Sequence, residues 1–374
     1  MKKRDFLKGM MAVGGGCLAA WSGRAAGGGT GDPRPAAETG EKEASHYAAT
    51  PRGVKCLICP NECTLKEGEV SDCHNRVARG GKLYTMAYGN PCAVHIDPVE
   101  KKPLLHFHPG SLAFSIATAG CNFACLNCQN WEISQASPRE TRNVSAGPEA
   151  VVASASRENC RSIAYTYSEP VTFFEYMRDT AVLARARGIQ NIMVSNGYIN
   201  RAPLLEICRV VDAANIDLKS FDPGIHLKLT AGKIEPVLET LKTIKAEGVW
   251  LEITNLIIPG WTDDFKMIGD MCDWLMREGF AEVPLHFSRF QPLHKLTRLP
   301  PTPVPTLVRA KEIAVKAGLK FVYIGNVPGL GGEDTFCPGC KTRLLRRRGF
   351  AVSDNILKDG KCPKCAMPIP GRWG

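Results

Sequence analysis

Most of the chain's 16 cysteines fall into three tight groups. They are Cys56, Cys59, Cys63 and Cys73; then Cys121, Cys125 and Cys128; then Cys337, Cys340, Cys362 and Cys365. Thiols spaced this closely converge on one ion or cluster more readily than they form disulfides. With 374 residues, 44% of them hydrophobic, the chain is long enough for a sizeable core and is no small disulfide-stapled domain. The other cysteines, Cys17, Cys92, Cys160, Cys208 and Cys272, read as buried small hydrophobes or inert thiols.

Charged residues make up 22% of the chain, an ordinary globular value that excludes wholesale disorder. No apolar run reaches the roughly 18 residues of a membrane-spanning helix. The net charge is +10, and the first 26 residues carry Lys2, Lys3, Arg4, Lys8 and Arg24 against Asp5 alone. The remainder is only modestly basic, so no nucleic-acid partner is expected. The dense patch Arg343, Arg346, Arg347 and Arg348 reads as a solvated face beside a metal site.

Residues 1–26 have the layout of an export leader: a basic start, a short glycine-diluted apolar stretch, and Ala25-Ala26. Lys3-Arg4-Asp5-Phe6-Leu7-Lys8 resembles a twin-arginine signal with Lys in place of the first Arg. That route carries folded, cofactor-loaded proteins, so the expected location is the periplasm or cell envelope, with the cytoplasm as the alternative. Residues 27–50 are rich in Gly, Pro and charge and read as a linker. Residues 51–110 form an N-terminal cysteine-rich module with many turns, and 331–374 a cysteine-bearing tail.

Between them, over 111–330, apolar β-rich runs alternate with amphipathic stretches. Strands are expected at 112–119, 161–168, 191–195, 214–219, 249–258, 284–290 and 320–325. Helices are expected at 147–158, 170–187, 203–211, 234–247, 262–278 and 303–317. Repeated β-α units with nearly continuous apolar strands predict an α/β fold, a full or partial (β/α) barrel. Chemistry on such barrels sits at the C-terminal ends of the strands. Candidate polar groups there are Ser168, Glu169, Asn196, Asp217, Lys219, Glu252, Thr254, Asn255 and His286.

Cys121-Asn-Phe-Ala-Cys125-Leu-Asn-Cys128 lies at the end of the first barrel strand. Three thiolates in one short loop can hold a catalytic zinc with an open position, or a four-iron cluster with one iron free of protein ligands. Spacing alone does not choose between them.

The motif, with Phe123 inside it, resembles the radical S-adenosylmethionine superfamily. HIDPVEKKPLLHFHPGS, GCNFACLNCQNWEISQ, YTYSEP, VSNGYI, NIDLKSF, LIIPG, HFSRFQP and VYIGNVPG resemble the radical SAM enzyme of the AmmeMemoRadiSam system, a group related to pyruvate formate-lyase activating enzymes. The resemblance covers roughly 51–374. It implies that Cys121, Cys125 and Cys128 hold a [4Fe-4S] cluster that cleaves S-adenosylmethionine reductively, giving a 5′-deoxyadenosyl radical for hydrogen abstraction. Ser168 and Glu169 occupy the place of the superfamily's Gly-Gly-Glu segment, which meets the methionine amino group. Asn196, Asp217 and Lys219 become candidates for the ribose, the carboxylate or a bound cation, and Asn255 with Ile257–Pro259 for the adenine. Implied partners are a low-potential electron donor and proteins of the Memo and AMMECR1 types.

The flanking groups are read from their spacing. Cys337-Pro-Gly-Cys340 and Cys362-Pro-Lys-Cys365 are two CxxC knuckles, the signature of a zinc ribbon, with iron the rival. Cys56, Cys59, Cys63 and Cys73 suit zinc or a second iron–sulfur cluster acting as electron relay, with His74 a competing ligand for Cys73. His95, His106 and His108 either line the barrel mouth or cap turns. Rival functions are a glycyl-radical activase and, from another class, a non-enzymatic iron–sulfur and zinc protein that transfers electrons or scaffolds assembly.

Overall fold

The computed structural model of the protein describes residues 40–374. The export leader expected over 1–26 and residues 27–39 of the expected linker lie outside the described residues. Residues 40–50 are not linker: they supply β1 (Gly40–Glu43) and β2 (Tyr47–Thr50). With β3 (Gly53–Cys56), β4 (Thr64–Leu65), β5 (Arg76–Arg79) and β6 (Lys82–Tyr88) they build two antiparallel sheets, ordered β1-β6-β5 and β2-β3-β4. Both β1 and β2 are edge strands. In β1, GEKE alternates half-buried with exposed, so its polar composition hides a one-sided strand.

The large sheet has eight strands. It opens with β7 (Ala93–Pro98), which runs antiparallel to β8 (Leu112–Ala117). Then β9 (Ser162–Tyr165), β10 (Gln190–Ser195), β11 (Ala213–Asp217), β12 (Trp250–Ile257), β13 (Leu285–Arg289) and β14 (Val322–Gly325) each pair in parallel with the strand before. The barrel sheet therefore starts at 93, inside the segment expected to be a separate module. Among the described residues β7 and β14 do not pair with each other, so the barrel is partial. Helices fill the crossovers at Pro148–Arg157, Phe174–Ala186, Arg201–Cys208, Glu235–Ala246, Phe265–Arg277 and Val304–Ala317. A further helix, Pro223–Thr230, follows β11; Asp222 caps it by accepting the Ile225 N–H at 2.7 Å. It was not among the expected helices.

The interior of the barrel is held by a polar network. Glu252 and His286 were expected at the rim with the other polar strand-end groups, but they belong to this network. Glu252 is fully buried and accepts the backbone N–H of Leu105 (3.0 Å) and His106 (2.8 Å), the Trp250 indole (3.1 Å) and His286 Nε2 (2.7 Å). Asn215 donates to the Pro103 carbonyl at 2.8 Å. These bonds strap the 103–106 segment across the barrel strands, where its backbone groups would otherwise be unpaired.

The tail docks on that segment. β15 (Thr335–Phe336), β16 (Arg343–Arg348) and β17 (Ala351–Asn355) form its antiparallel sheet. Leu344, Leu345 and Ile369 pack with Leu105, Phe321 and Tyr323. His106 bonds the Pro370 carbonyl (2.7 Å) and the Tyr323 hydroxyl (2.5 Å), and Arg347 Nη2 donates to the Leu105 carbonyl at 2.6 Å. Arg347 is thus buried, unlike Arg343, Arg346 and Arg348, which remain exposed. Among the described residues no helix is long and apolar enough to cross a membrane.

Candidate active site

The loop that follows β8 carries Cys121, Cys125 and Cys128. It leaves the strand through Gly120, whose φ of 96° lies in the left-handed region. A Cβ there would stand 2.4 Å from the Cys73 carbonyl oxygen, so only glycine lets the loop pass. The loop is clamped from outside by backbone bonds: Ala124 N–H to Thr230 O and Leu126 N–H to Leu229 O, both 2.9 Å, and Lys295 N–H to Leu126 O, 3.0 Å. Phe123 is buried against Tyr198 and His226, at centroid distances of 4.9 and 5.8 Å. A Cβ on Gly232 would overlap the Phe123 ring at 2.0 Å. Sequence reasoning missed His226, Thr230 and Gly232; the capped turn at Asp222-Pro223 was the available signal.

Around this loop stand the strand-end residues. Glu169, 1% exposed, accepts Val171 N–H (3.1 Å), the Ser195 hydroxyl (2.7 Å) and Asn196 N–H (2.8 Å). It is neither a rim salt bridge nor free: three of roughly four lone-pair positions are taken, leaving one on Oε2. Burial pushes its carboxyl up to about 7, against the pull of those donors. Asn196 turns its amide to the cysteine loop, donating to Asn122 Oδ1 (2.9 Å) and Cys121 Sγ (3.8 Å), and its Oδ1 accepts Tyr198 N–H at 2.8 Å. Ser168 donates to the Thr118 carbonyl at 2.7 Å and ties β9 to β8.

Lys219 and Asp217 face one another at 2.7 Å, both partly exposed. Burial works to lower the Lys219 ammonium, but Asp217 and Cys125 beside it hold it above its ordinary value. Asn255 is buried; it donates to the Leu218 carbonyl at 2.8 Å, and its Oδ1 has no partner. Asn127, inside the cysteine loop, likewise leaves Oδ1 unpaired. A buried orphan acceptor costs about 1–3 kcal/mol unless a ligand meets it. The structure thus gathers Cys121, Cys125, Cys128, Asn196, Glu169, Lys219 and Asp217 at one end of the strands. Burial pushes the Cys125 thiol up to about 12 and Cys121 well above its ordinary range, with Glu169 adding to the latter. Amide donors at Cys121 Sγ, from Phe123 N–H (3.4 Å) and Asn196, suit a sulfur carrying negative charge. The donor set fits a thiolate-held cluster with an open coordination position.

A second polar group was not legible in the sequence. Lys102, 1% exposed, pairs with Asp97 at 2.6 Å and lies 4.4 Å from the Tyr167 ring centroid. Tyr167 bonds Asp97 through its hydroxyl and has φ 67°, while its carbonyl accepts Asn130 Nδ2 at 2.7 Å. Burial works to raise the Asp97 carboxyl, but Lys101, Lys102 and Tyr167 hold it well below the usual carboxylate range. Of the histidines, His95 is exposed on β7 and packs edge-on to Tyr167, His106 is buried under the tail, and His108 sits in the 108–111 turn.

The flanking cysteines differ in geometry. The sulfurs of Cys337, Cys340, Cys362 and Cys365 all lie within 4.8 Å of one another and could hold one metal ion. Hydrogen bonding with Thr342 holds the Cys340 thiol below its ordinary value. Cys56, Cys59, Cys63 and Cys73 line a small cavity instead. His74, the competing ligand, is absent from its wall, and every described cysteine is free of disulfides.

Residues 115–275 match the Radical SAM superfamily. An uncharacterized protein of Methanocaldococcus jannaschii is 48% identical over 318 residues, 84% of this chain and 95% of that one. The pyruvate formate-lyase 1-activating enzyme of Escherichia coli K12 is 25% identical over 226 residues, 54% of this chain and 89% of that one. The solved radical SAM methyltransferase of Sphaerobacter thermophilus aligns at 14% identity and a TM-score of 0.47, covering 58% of this chain and 67% of that one.

Proposed function

This chain belongs to the radical SAM superfamily and is an enzyme, and from that premise we propose that Cys121, Cys125 and Cys128 hold a [4Fe-4S] cluster that binds S-adenosylmethionine through its open iron. When bound, the two cofactors supply reductive cleavage to methionine and a 5′-deoxyadenosyl radical for hydrogen abstraction. The observation that carries the reading is a strand-end loop of three cysteines whose Cys121 Sγ meets the Glu169–Asn196 network. Asn196 orients the loop through Asn122 and donates to Cys121 Sγ. Glu169 holds Asn196 in place by its backbone N–H and keeps one lone pair for a cationic amino group. The orphan Oδ1 atoms of Asn255 and Asn127 are acceptors for N–H or O–H donors of the cofactor. Lys219 offers a cation for a carboxylate, with Asp217 fixing its ammonium.

A second reading, activation of a partner protein by formation of a glycyl radical, draws on the likeness to the pyruvate formate-lyase 1-activating enzyme. In either case a low-potential one-electron donor is required. The tail cysteines, on this proposal, hold one structural zinc.

Anaerobic protein reduced with dithionite and given S-adenosylmethionine alone should release 5′-deoxyadenosine. Cys128→Ala should abolish the product and the brown thiolate-to-iron absorbance of the central site. Normal cleavage by that variant would refute the assignment.

A further inference from the structure

Cys56, Cys59, Cys63 and Cys73 come from a strand end and two turns, yet all open on one hollow of about 20 Å³. Cys56 ends β3, and its N–H bonds the Cys63 carbonyl at 2.9 Å. Glu62 (φ 46°) and His74 (φ 65°) close the two turns, with Glu62 N–H on Cys59 O and His74 N–H on Ser71 O. The rest of the wall includes Ile58, Val171, Asn61, Asn122 and Arg76.

Three observations say what fits there. First, the hollow exceeds the roughly 10–15 Å³ a single water requires, but water also needs two to four polar partners. The surface turned to the hollow is almost entirely sulfur and carbon, so it is no water site. Close-packed interiors do not keep such gaps without cost, and soft thiols invite a soft occupant. Second, one tetrahedral zinc with Zn–S near 2.3 Å brings its four sulfurs to about 3.8 Å from one another. The tail group approaches that; among the described residues it alone gathers its ligand atoms within 4.8 Å. Around a cubic iron–sulfur core each cysteine binds an iron at a different corner, and the alternating irons and sulfides occupy the space between them, so the thiols stand apart about a space. Third, a buried cation stands in the wall. Arg76, 1% exposed, pairs with Glu175 through Nη1 at 2.8 Å, while Nη2 has no partner. A thiolate-ligated cluster supplies the anionic acceptor that this nitrogen lacks.

The hollow also abuts the candidate active site. Asn122, the residue after Cys121, forms part of its wall, and Asn61 Nδ2 donates to the Asn122 carbonyl at 3.1 Å. The Cys73 carbonyl is what a side chain on Gly120 would strike.

We infer that Cys56, Cys59, Cys63 and Cys73 bind a second iron–sulfur cluster, seated against the cysteine loop of the active site and passing single electrons to it. The donor is a reduced low-potential one-electron carrier. One electron enters the second cluster and leaves it for the central one, so the donor is oxidised by one electron and the central site reduced by one. No bond is made or broken in the hollow. The relay rests on the function proposed above; the second cluster does not.

Iron, sulfide and zinc analysis of the anaerobically reconstituted full chain tests the inference. About eight iron and eight sulfide are expected for two cubes, against about four for the central cluster alone. Cys59→Ser/Cys73→Ser should lose the second set and keep the electron paramagnetic signal that shifts with S-adenosylmethionine. Cys121→Ala/Cys125→Ala/Cys128→Ala should keep the second set and lose that shift. About four iron with two zinc in the wild type, or zinc lost with Cys59 and Cys73, overturns the inference. If the triple variant keeps all iron while Cys59→Ser/Cys73→Ser loses all, the function proposed for the central loop falls and the second cluster stands. With a protein donor in place of dithionite, reduction of the central site should slow at least 10-fold in Cys59→Ser/Cys73→Ser; an unchanged rate overturns the relay.

Discussion

At the tail, four cysteines hang from a small antiparallel sheet with their sulfurs drawn within 4.8 Å. Before the barrel, four others stand around a hollow whose wall includes Asn122, Val171 and Thr172 of the barrel itself. The first group is closed by its own segment of chain and needs the barrel only as a dock. The second is completed by the Cys121–Cys128 loop and the residues after Glu169. Metal at the first can therefore govern only the tail, whereas anything seated in the second touches the backbone that carries Cys121. On the functions proposed above, the difference would separate a structural metal from one coupled to chemistry, and it resides in the neighbours of the ligands.

The largest effect should come from opening the closed site. Structural zinc contributes on the order of 10 kcal/mol in isolated zinc peptides. Beyond it the tail has a three-stranded sheet, the small cluster around Leu344, Leu345 and Ile369, and the bonds of His106 and Arg347. Cys362→Ala should release one zinc equivalent and expose 331–374 to proteolysis, leaving the visible and paramagnetic spectra of the iron sites unchanged. A change in those spectra would break the contrast between the two groups.

The barrel was legible because its strands are buried on both faces: Ser162–Tyr165 has four buried residues in a row. The cysteine loop was legible because its three thiols are close in sequence. The N-terminal sheets were not, since their strands are short and half of GEKE faces water. Nor was the placement of Glu252 and His286 inside the barrel, because the backbone groups that claim Glu252, at Leu105 and His106, lie about a hundred and fifty residues away in sequence, and His286 follows Glu252 inward. Spacing already set the paired CxxC knuckles of the tail apart from the looser Cys56–Cys73 group, but left the latter open between zinc and a cluster. It could not show that Asn61 and Cys73 would meet the backbone around Cys121, because that contact depends on tertiary packing.

A smaller effect should come from acid, and again at the tail. Burial pushes His106 down to about 4. It is therefore neutral, with Nδ1–H donating to Pro370 O and Nε2 accepting from the Tyr323 hydroxyl. An unfolded histidine takes its proton near 6.5, so between 6.5 and about 4 the unfolded chain binds more protons than the folded one. Stability should fall as pH drops through that window, by about 3 kcal/mol in total. Trp373, 4.9 Å from His106 by ring centroids, reports the undocking by its fluorescence. The difference between wild type and His106→Gln isolates this contribution from protonation of the metal ligands. Coincident acid transitions in the two proteins would place the sensitivity elsewhere.

The smallest effect should come from the contact that joins the open group to the active site. Asn61 lies in the wall of the hollow and donates to the Asn122 carbonyl at 3.1 Å. It is half-buried, so Asn61→Ala should cost only about 0.5–1.5 kcal/mol. At the size of this chain that lowers the melting temperature by a few degrees at most. Its consequence for the site should be out of proportion to that cost. Asn122 also donates to the Tyr198 carbonyl (2.7 Å) and accepts from Asn196 (2.9 Å), whose amide meets Cys121 Sγ. Freeing one side of Asn122 lets this chain of bonds shift, and a donor moved away from Cys121 Sγ changes the electron density on that sulfur. The central cluster's paramagnetic signal and reduction potential should therefore move while zinc content and tail proteolysis do not. The same substitution at a tail contact of similar strength, Ser353→Ala, which removes a 3.2 Å bond to the Arg346 carbonyl, should leave the iron signals untouched. Equal responses from the two variants would mean that the open group is as insulated from the chemistry as the closed one.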